Sequence, residues 1–224
     1  MSLASKAWVS VIVTVAVMGV LLFVPAGGIR YWQAWVYLAI FSLLTVLVTG
    51  DLLKRDPALL QRRLRGGPAA EKRPAQRVIM LGASIGFAAI LVVPALDHRF
   101  GWSAVPAGVE GAGLVLFALG FGMNVLVFRE NTFTSATIEV WQGQRVISTG
   151  PYSVIRHPMY AGGALYLLGT PIALGSYWGL VPFVLTMPFL IWRLVDEERF
   201  LALNLPGYAE YQERVRHRLV PFVW

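Results

Sequence analysis

Four stretches of this chain, 8–24, 32–50, 78–96 and 111–128, run without a single charged side chain. Each is close to the roughly 20 residues that carry an α-helix across about 30 Å of hydrocarbon, at about 1.5 Å per residue. They are read as membrane helices. Two shorter runs follow, 160–174 and 177–192, separated only by Gly175-Ser176. Two residues cannot cross a bilayer, so the last two runs are expected to form a tight helical hairpin. The composition agrees: 57% of the 224 residues are hydrophobic and 14% charged, which no ordinary soluble domain matches.

The basic residues supply an orientation. With six spans and the N-terminus inside, all but Arg30 and Arg99 of the 19 lysines and arginines fall on the inner face. Positively charged loops stay on the cytosolic side. The expectation is an all-α, polytopic integral membrane protein of about six spans, both termini cytosolic, in a bacterial-type inner membrane or its equivalent. A cytosolic C-terminal helix would follow the hairpin. The net charge of +7 then serves orientation and contact with anionic lipid headgroups. No basic stripe on a soluble domain points to nucleic acid. Without cysteines, thiol catalysis and cysteine-ligated metals are excluded. Three scattered histidines offer no metal-ligand spacing, so no metal is expected. Lys6 before an apolar run with Pro25-Ala26-Gly27-Gly28 after it resembles a signal peptide. The run is long for that, and a retained first helix is expected.

The chain divides into a four-helix membrane scaffold, 1–128, and a more polar region, 129–224. Segment 54–77 reads as a basic loop that fixes topology, with a short interfacial helix around 57–65. Tyr31, Trp32, Trp35 and Trp102 sit where an interfacial aromatic belt would place them. Small residues in the fourth span, Gly111-Ala112-Gly113 and Gly120-Phe121-Gly122, read as helix-packing contacts. The tail, 205–215, breaks at Pro206-Gly207 and puts Tyr208, Tyr211 and Val215 on one helical face. It could close over a bound ligand.

Two polar clusters carry the candidate chemistry. The first is Gly150-Pro151-Tyr152-Ser153-Val154-Ile155-Arg156-His157-Pro158-Met159-Tyr160. Its two prolines fix φ and make 152–157 a constrained turn, with Pro158 suited to begin a helix. The second, Arg193-Leu194-Val195-Asp196-Glu197-Glu198, follows the hairpin. Arg193 and Glu197 share a helical face at i,i+4 and could pair with each other. Yet an orienting pair needs only one of the three consecutive acids. Ionisable groups at the ends of membrane helices usually mark a functional site. His98 and His217 are assigned to a loop and to the basic tail. No glycine fingerprint or P-loop is present, so a nucleotide-like cofactor would bind without a Rossmann domain.

Together these residues, with Tyr208 and Tyr211, resemble the isoprenylcysteine carboxyl methyltransferase family, whose broader relatives include the phospholipid N-methyltransferases. The resemblance covers roughly 131–224. It implies S-adenosylmethionine as cofactor, a lipophilic methyl acceptor in or at the bilayer, and 129–224 as the catalytic region. By motif, Gln144, Arg145, Val146, Ile147, Tyr152, His157, Pro158 and Tyr160 would line the cofactor pocket. Either Glu197 or Glu198 would be its carboxylate. Arg193 and Glu197 would be the catalytic pair, with Arg193 turned toward the methyl acceptor, a lipophilic carboxylate, the alternative being a phospholipid amine. Competing readings are an NADPH-dependent membrane reductase of the steroid-reductase type and a non-enzymatic transporter or lipid-binding protein. Nothing in the sequence speaks to oligomeric state.

Overall fold

Hydrocarbon offers no partner for a backbone N–H or C=O, so each apolar run closes its hydrogen bonds within itself. The computed structural model describes residues 1–71 and 73–224. Its regular elements, among the described residues, are helical throughout: α1 (Leu3–Phe23), α2 (Trp32–Arg55), α3 (Pro57–Leu64), α4 (Pro74–Phe100), α5 (Ala107–Glu130), α6 (Pro158–Ala173), α7 (Leu180–Asn204) and α8 (Tyr208–Arg214). Helices α1, α2, α4 and α5 are long and apolar enough to cross a membrane. Their outer faces are exposed and oily, as with Ile12, Leu43, Ile85 and Leu119. This is the arrangement of a polytopic membrane protein.

The other two expected spans are α6 and α7. At 16 residues, α6 reaches about 24 Å, short of the hydrocarbon thickness. Helix α7 is 25 residues long, but its apolar run ends at Trp192 and its second half carries Arg193, Asp196, Glu197, Glu198 and Arg199. The turn between them is where the sequence put it. Gly175 adopts φ +74°, a conformation open to glycine at little cost. Around the turn, Tyr31 donates its hydroxyl to the Leu174 carbonyl at 2.6 Å. Ser176 donates to the buried carboxylate of Asp97, which also accepts from Ser103 N at 2.7 Å. Tyr31 is therefore not in the aromatic belt: it is fully buried, whereas Trp32, Trp35 and Trp102 are exposed as expected. Nor is His98 in a loop. It lies in α4 and stacks on Tyr31 at 4.1 Å.

From this turn the hairpin arms diverge. Helix α6 lies along α5, and α7 along α4, with much less contact between the arms. Glycines permit the first pairing. A Cβ at Gly169 would stand 2.5 Å from the Gly113 carbonyl oxygen, and one at Gly120 would overlap the Gly162 carbonyl. Of the glycines singled out in α5, Gly113 and Gly120 make the contact, while Gly111 and Gly122 meet nothing within 4 Å. Gly120→Ala is expected to cost about 1–3 kcal/mol, because the obstacle is backbone and cannot turn aside. Gly122→Ala should be neutral or slightly stabilising, since alanine is the better helix former. Thermal unfolding of the two purified variants in detergent checks the contrast.

Segment 54–77 is only partly the loop expected. Helix α3 forms where the sequence put it, with Pro57 at its first position and Asp56 accepting from Leu59 N at 2.9 Å. The segment as a whole is not merely solvated, however. Glu71 and Gln76 are buried against α7.

Candidate functional site

Leu190, Arg193, Glu197 and Leu201 recur at spacings of three and four along α7, so they form one stripe of that helix. His157, Tyr160, Gly163 and Leu167 do the same at the start of α6. The two stripes face one cavity of about 370 Å³, between the diverging arms and beneath segment 131–147. That volume falls within the roughly 300–1,000 Å³ usual for small-molecule sites.

The C-terminal chain straps this end of the bundle. Arg156 N donates to the His217 carbonyl at 2.9 Å and His157 N to the Arg218 carbonyl at 3.0 Å. The Arg156 guanidinium reaches Glu198 at 2.6 Å and the Val215 carbonyl at 2.8 Å. Glu198 also receives Arg218 at 2.7 Å, and His157 Nε2 lies 3.2 Å from it. Burial works to raise the Glu198 pKa, but the bonds from His157, Arg156 and Arg218 outweigh it and hold the group at about 2. Before the strap, α8 packs Tyr208 and Tyr211 beside Val146 and Tyr152. Tyr211 donates to the Tyr152 carbonyl at 2.7 Å. Burial raises the pKa of Tyr152, Tyr208 and Tyr211, so all three meet the cavity as neutral phenols.

The site residues expected from the sequence are largely gathered here. Gln144, Arg145, Val146, Ile147, Tyr152, His157, Pro158, Tyr160, Arg193 and Glu197 all line the cavity. Glu198 does not. One residue further along α7 is about 100° around the helix, which turns its carboxylate away from the cavity wall and into the strap. Glu197 is the carboxylate on the wall, accepting from the Tyr160 hydroxyl at 2.5 Å. The i,i+4 pair of Arg193 with Glu197 is not formed. Arg193 instead donates to Glu71 at 2.8 Å, Gln76 at 2.7 Å and the Ala136 carbonyl at 2.8 Å. Asp196 belongs to the same junction, paired with Arg73 at 2.8 Å.

Several wall residues were not singled out from the sequence. Arg63 comes from α3, Met80 and Ala83 from α4, and Asn124 from α5. Asn124 could have been noticed as an amide in an otherwise apolar run. Arg63 had no distinguishing signal among its basic neighbours. The wall is thus divided in character. Gln144, Arg145, His157, Tyr160 and Glu197 make one part polar, while Met80, Ala83, Leu167 and Leu190 make the other apolar. Apart from His157 Nε2, which lies 3.2 Å from Glu198, two buried polar atoms on it, Tyr208 Oη and Asn124 Oδ1, have no hydrogen-bond partner among the described residues.

This chain is similar to known proteins over the same elements. Residues 109–205, from α5 to the end of α7, match the family model described as phospholipid methyltransferase. That is a membrane methyltransferase family related to the isoprenylcysteine carboxyl methyltransferases, and the match supports a membrane methyltransferase here. A stretch of 72 residues is also 39% identical to the cobalt-zinc-cadmium resistance protein CzcN of Cupriavidus metallidurans. It covers 31% of this chain and 32% of that protein, so the similarity spans about a third of the relative's length.

Proposed function

We propose that the protein is an integral-membrane methyltransferase that uses S-adenosylmethionine and methylates a lipophilic acceptor, a carboxylate in the first instance. One observation carries this reading: a single cavity joins a polar wall at the bundle end to an apolar wall between membrane helices. A polar, cationic cofactor suits the first and an oily acceptor the second.

The residues present fit the cofactor. Glu197 offers a carboxylate to an ammonium or to ribose hydroxyls. Tyr208 offers a buried hydroxyl that has no partner among the described residues. Segment 144–147 and Tyr152 complete that wall, and α8 packs Tyr208 and Tyr211 beside Val146 and Tyr152. S-adenosylmethionine, when bound, supplies a methyl group on a sulfonium, which a nucleophile can take in a single displacement. The protein's part is to align donor and acceptor in a dry site. Tyr160 and Arg193 stand on the same wall, where they would orient the reacting groups. In this reading 129–224 is the catalytic region and 1–128 a scaffold that also furnishes acceptor-side wall. Among the described residues, the basic side chains other than Arg30 and Arg99 belong to elements at the site end. That end would therefore face the cytosol, with both termini.

A reductase would need a basic cluster for the extra phosphate of NADPH. Of the four arginines that line the cavity, Arg63, Arg145, Arg156 and Arg193, the last two are each committed to a buried glutamate, which leaves no cluster of adjacent free cations among the described residues. Titration calorimetry of the purified protein is expected to show binding of S-adenosylhomocysteine and none of NADPH. The reverse result would overturn the proposal.

A further inference from the structure

Three arginines other than the exposed Arg145 line the cavity, and two of them are neutralised within the protein. Arg156 meets Glu198 at 2.6 Å and Arg193 meets Glu71 at 2.8 Å. Arg63 is different. It is partly buried, and among the described residues no carboxylate lies within ion-pair distance of it. Its Nη1 donates to the Ser135 carbonyl at 3.1 Å and to the Met159 sulfur at 3.6 Å, both uncharged. The plane stands over the Phe128 ring, 5.1 Å from its centroid. Its Nε and Nη2 have no partner among the described residues. An arginine cannot shed its proton to escape this position. A carbonyl, a thioether and a ring face compensate a guanidinium far less than an oxyanion does.

The position of Arg63 matters as much as its charge. Phe128 is one turn from Asn124 on the same face of α5, so the guanidinium sits over the face that brings Asn124 to the cavity. Met80, Ala83, Leu167 and Leu190 line the rest of the apolar wall. A ligand with its chain in that arm would bring its head to Arg63.

We propose that Arg63 is the acceptor-recognition residue, and that it binds an oxyanion carried at the head of an aliphatic chain. This rests on the methyltransferase reading and deepens it by assigning the residue that reads the acceptor's charge. The guanidinium edge matches a planar or tetrahedral oxyanion in two-point contact. Two sources share that chemistry: the carboxylate of a lipophilic acid and the phosphodiester of a phospholipid headgroup. A bare alkylammonium would meet a like charge. Arg193, already held by Glu71, Gln76 and Ala136, is left as a support of the wall rather than the acceptor's first anchor.

The test uses the full chain in nanodiscs, with displacement of a fluorescent fatty acid by dodecanoate, by lysophosphatidylethanolamine and by dodecylamine. Arg63→Met is expected to weaken binding of the oxyanion probes about 30-fold or more. Arg63→Lys should recover part of the loss, and neither variant should change S-adenosylhomocysteine affinity, which also reports that they are folded. Stronger competition by dodecanoate assigns the oxyanion to a carboxylate, and stronger competition by the lysophospholipid assigns it to a headgroup. Equal oxyanion affinity in wild type and Arg63→Met overturns the proposal. So does dodecylamine binding as tightly as dodecanoate, or failure of both oxyanion probes to bind wild type. Arg63-dependent binding of an oxyanion without any binding of S-adenosylhomocysteine would instead remove the methyltransferase reading and leave the anion site standing.

Discussion

Glu198→Ala is expected to undock the C-terminal strap and cost about 3–5 kcal/mol, the scale of removing one partner from a buried ion pair. The substitution leaves Arg156, which is 7% exposed, without its carboxylate, and Arg218 with no anchor on α7. Glu197→Gln, one residue earlier, is expected to leave the strap in place. It should weaken S-adenosylhomocysteine binding about 30-fold or more, because it removes a charge from the cavity wall. Limited proteolysis of the tail and calorimetry separate the two outcomes. A protected tail in Glu198→Ala, with lost protection in Glu197→Gln, would reverse the assignment. Acid should act as the Glu198 substitution does. The group's folded pKa, about 2, lies below its ordinary value of 4.5, so its contribution is complete above about pH 4.5. That contribution falls as the pH drops and is lost through about pH 2. Proteolytic protection of the tail should therefore hold at pH 5 and decline across that window.

Arg193→Ala is expected to be comparably severe, at about 3–5 kcal/mol, for a different reason. Glu71, 3% exposed, would remain buried with its counter-ion gone, and the Gln76 and Ala136 bonds would be lost as well. The effect should appear as a lower unfolding temperature and as loosening of segment 131–147, followed by hydrogen exchange at Ala136 and its neighbours. Adding Glu71→Ala to Arg193→Ala should restore part of the stability, because the unpaired carboxylate goes with it. If the double variant is no more stable than Arg193→Ala alone, the two residues are not coupled and the junction is held by other contacts.

Four membrane helices could be read from the sequence because one local quantity decides them. An apolar run long enough to cross hydrocarbon has no competing structure there. Helix α3 was visible for a similar reason, in Asp56 as cap and Pro57 at the first position. The wall residues from Tyr152 to Tyr160 were readable as a cluster because they lie close together on a turn that two prolines constrain, whereas Gln144 to Ile147 came only from the family resemblance. The stripe of α7 could be read only in part. Its spacing put Arg193 and Glu197 on one face, but left open which adjacent glutamate faces a ligand. That choice needed the strap, whose Arg218 takes up Glu198 together with Arg156 and His157. Tertiary structure alone decided the rest. Arg193 finds Glu71 across 122 residues, Tyr31 leaves the interface for a carbonyl on the hairpin turn, and Arg63 reaches the cavity wall from α3. Hydropathy and helical period are properties of neighbouring residues, so the sequence carries them openly. Whether a charge meets a counter-charge depends on which distant segments pack beside it, and that is settled only when the helices are in place.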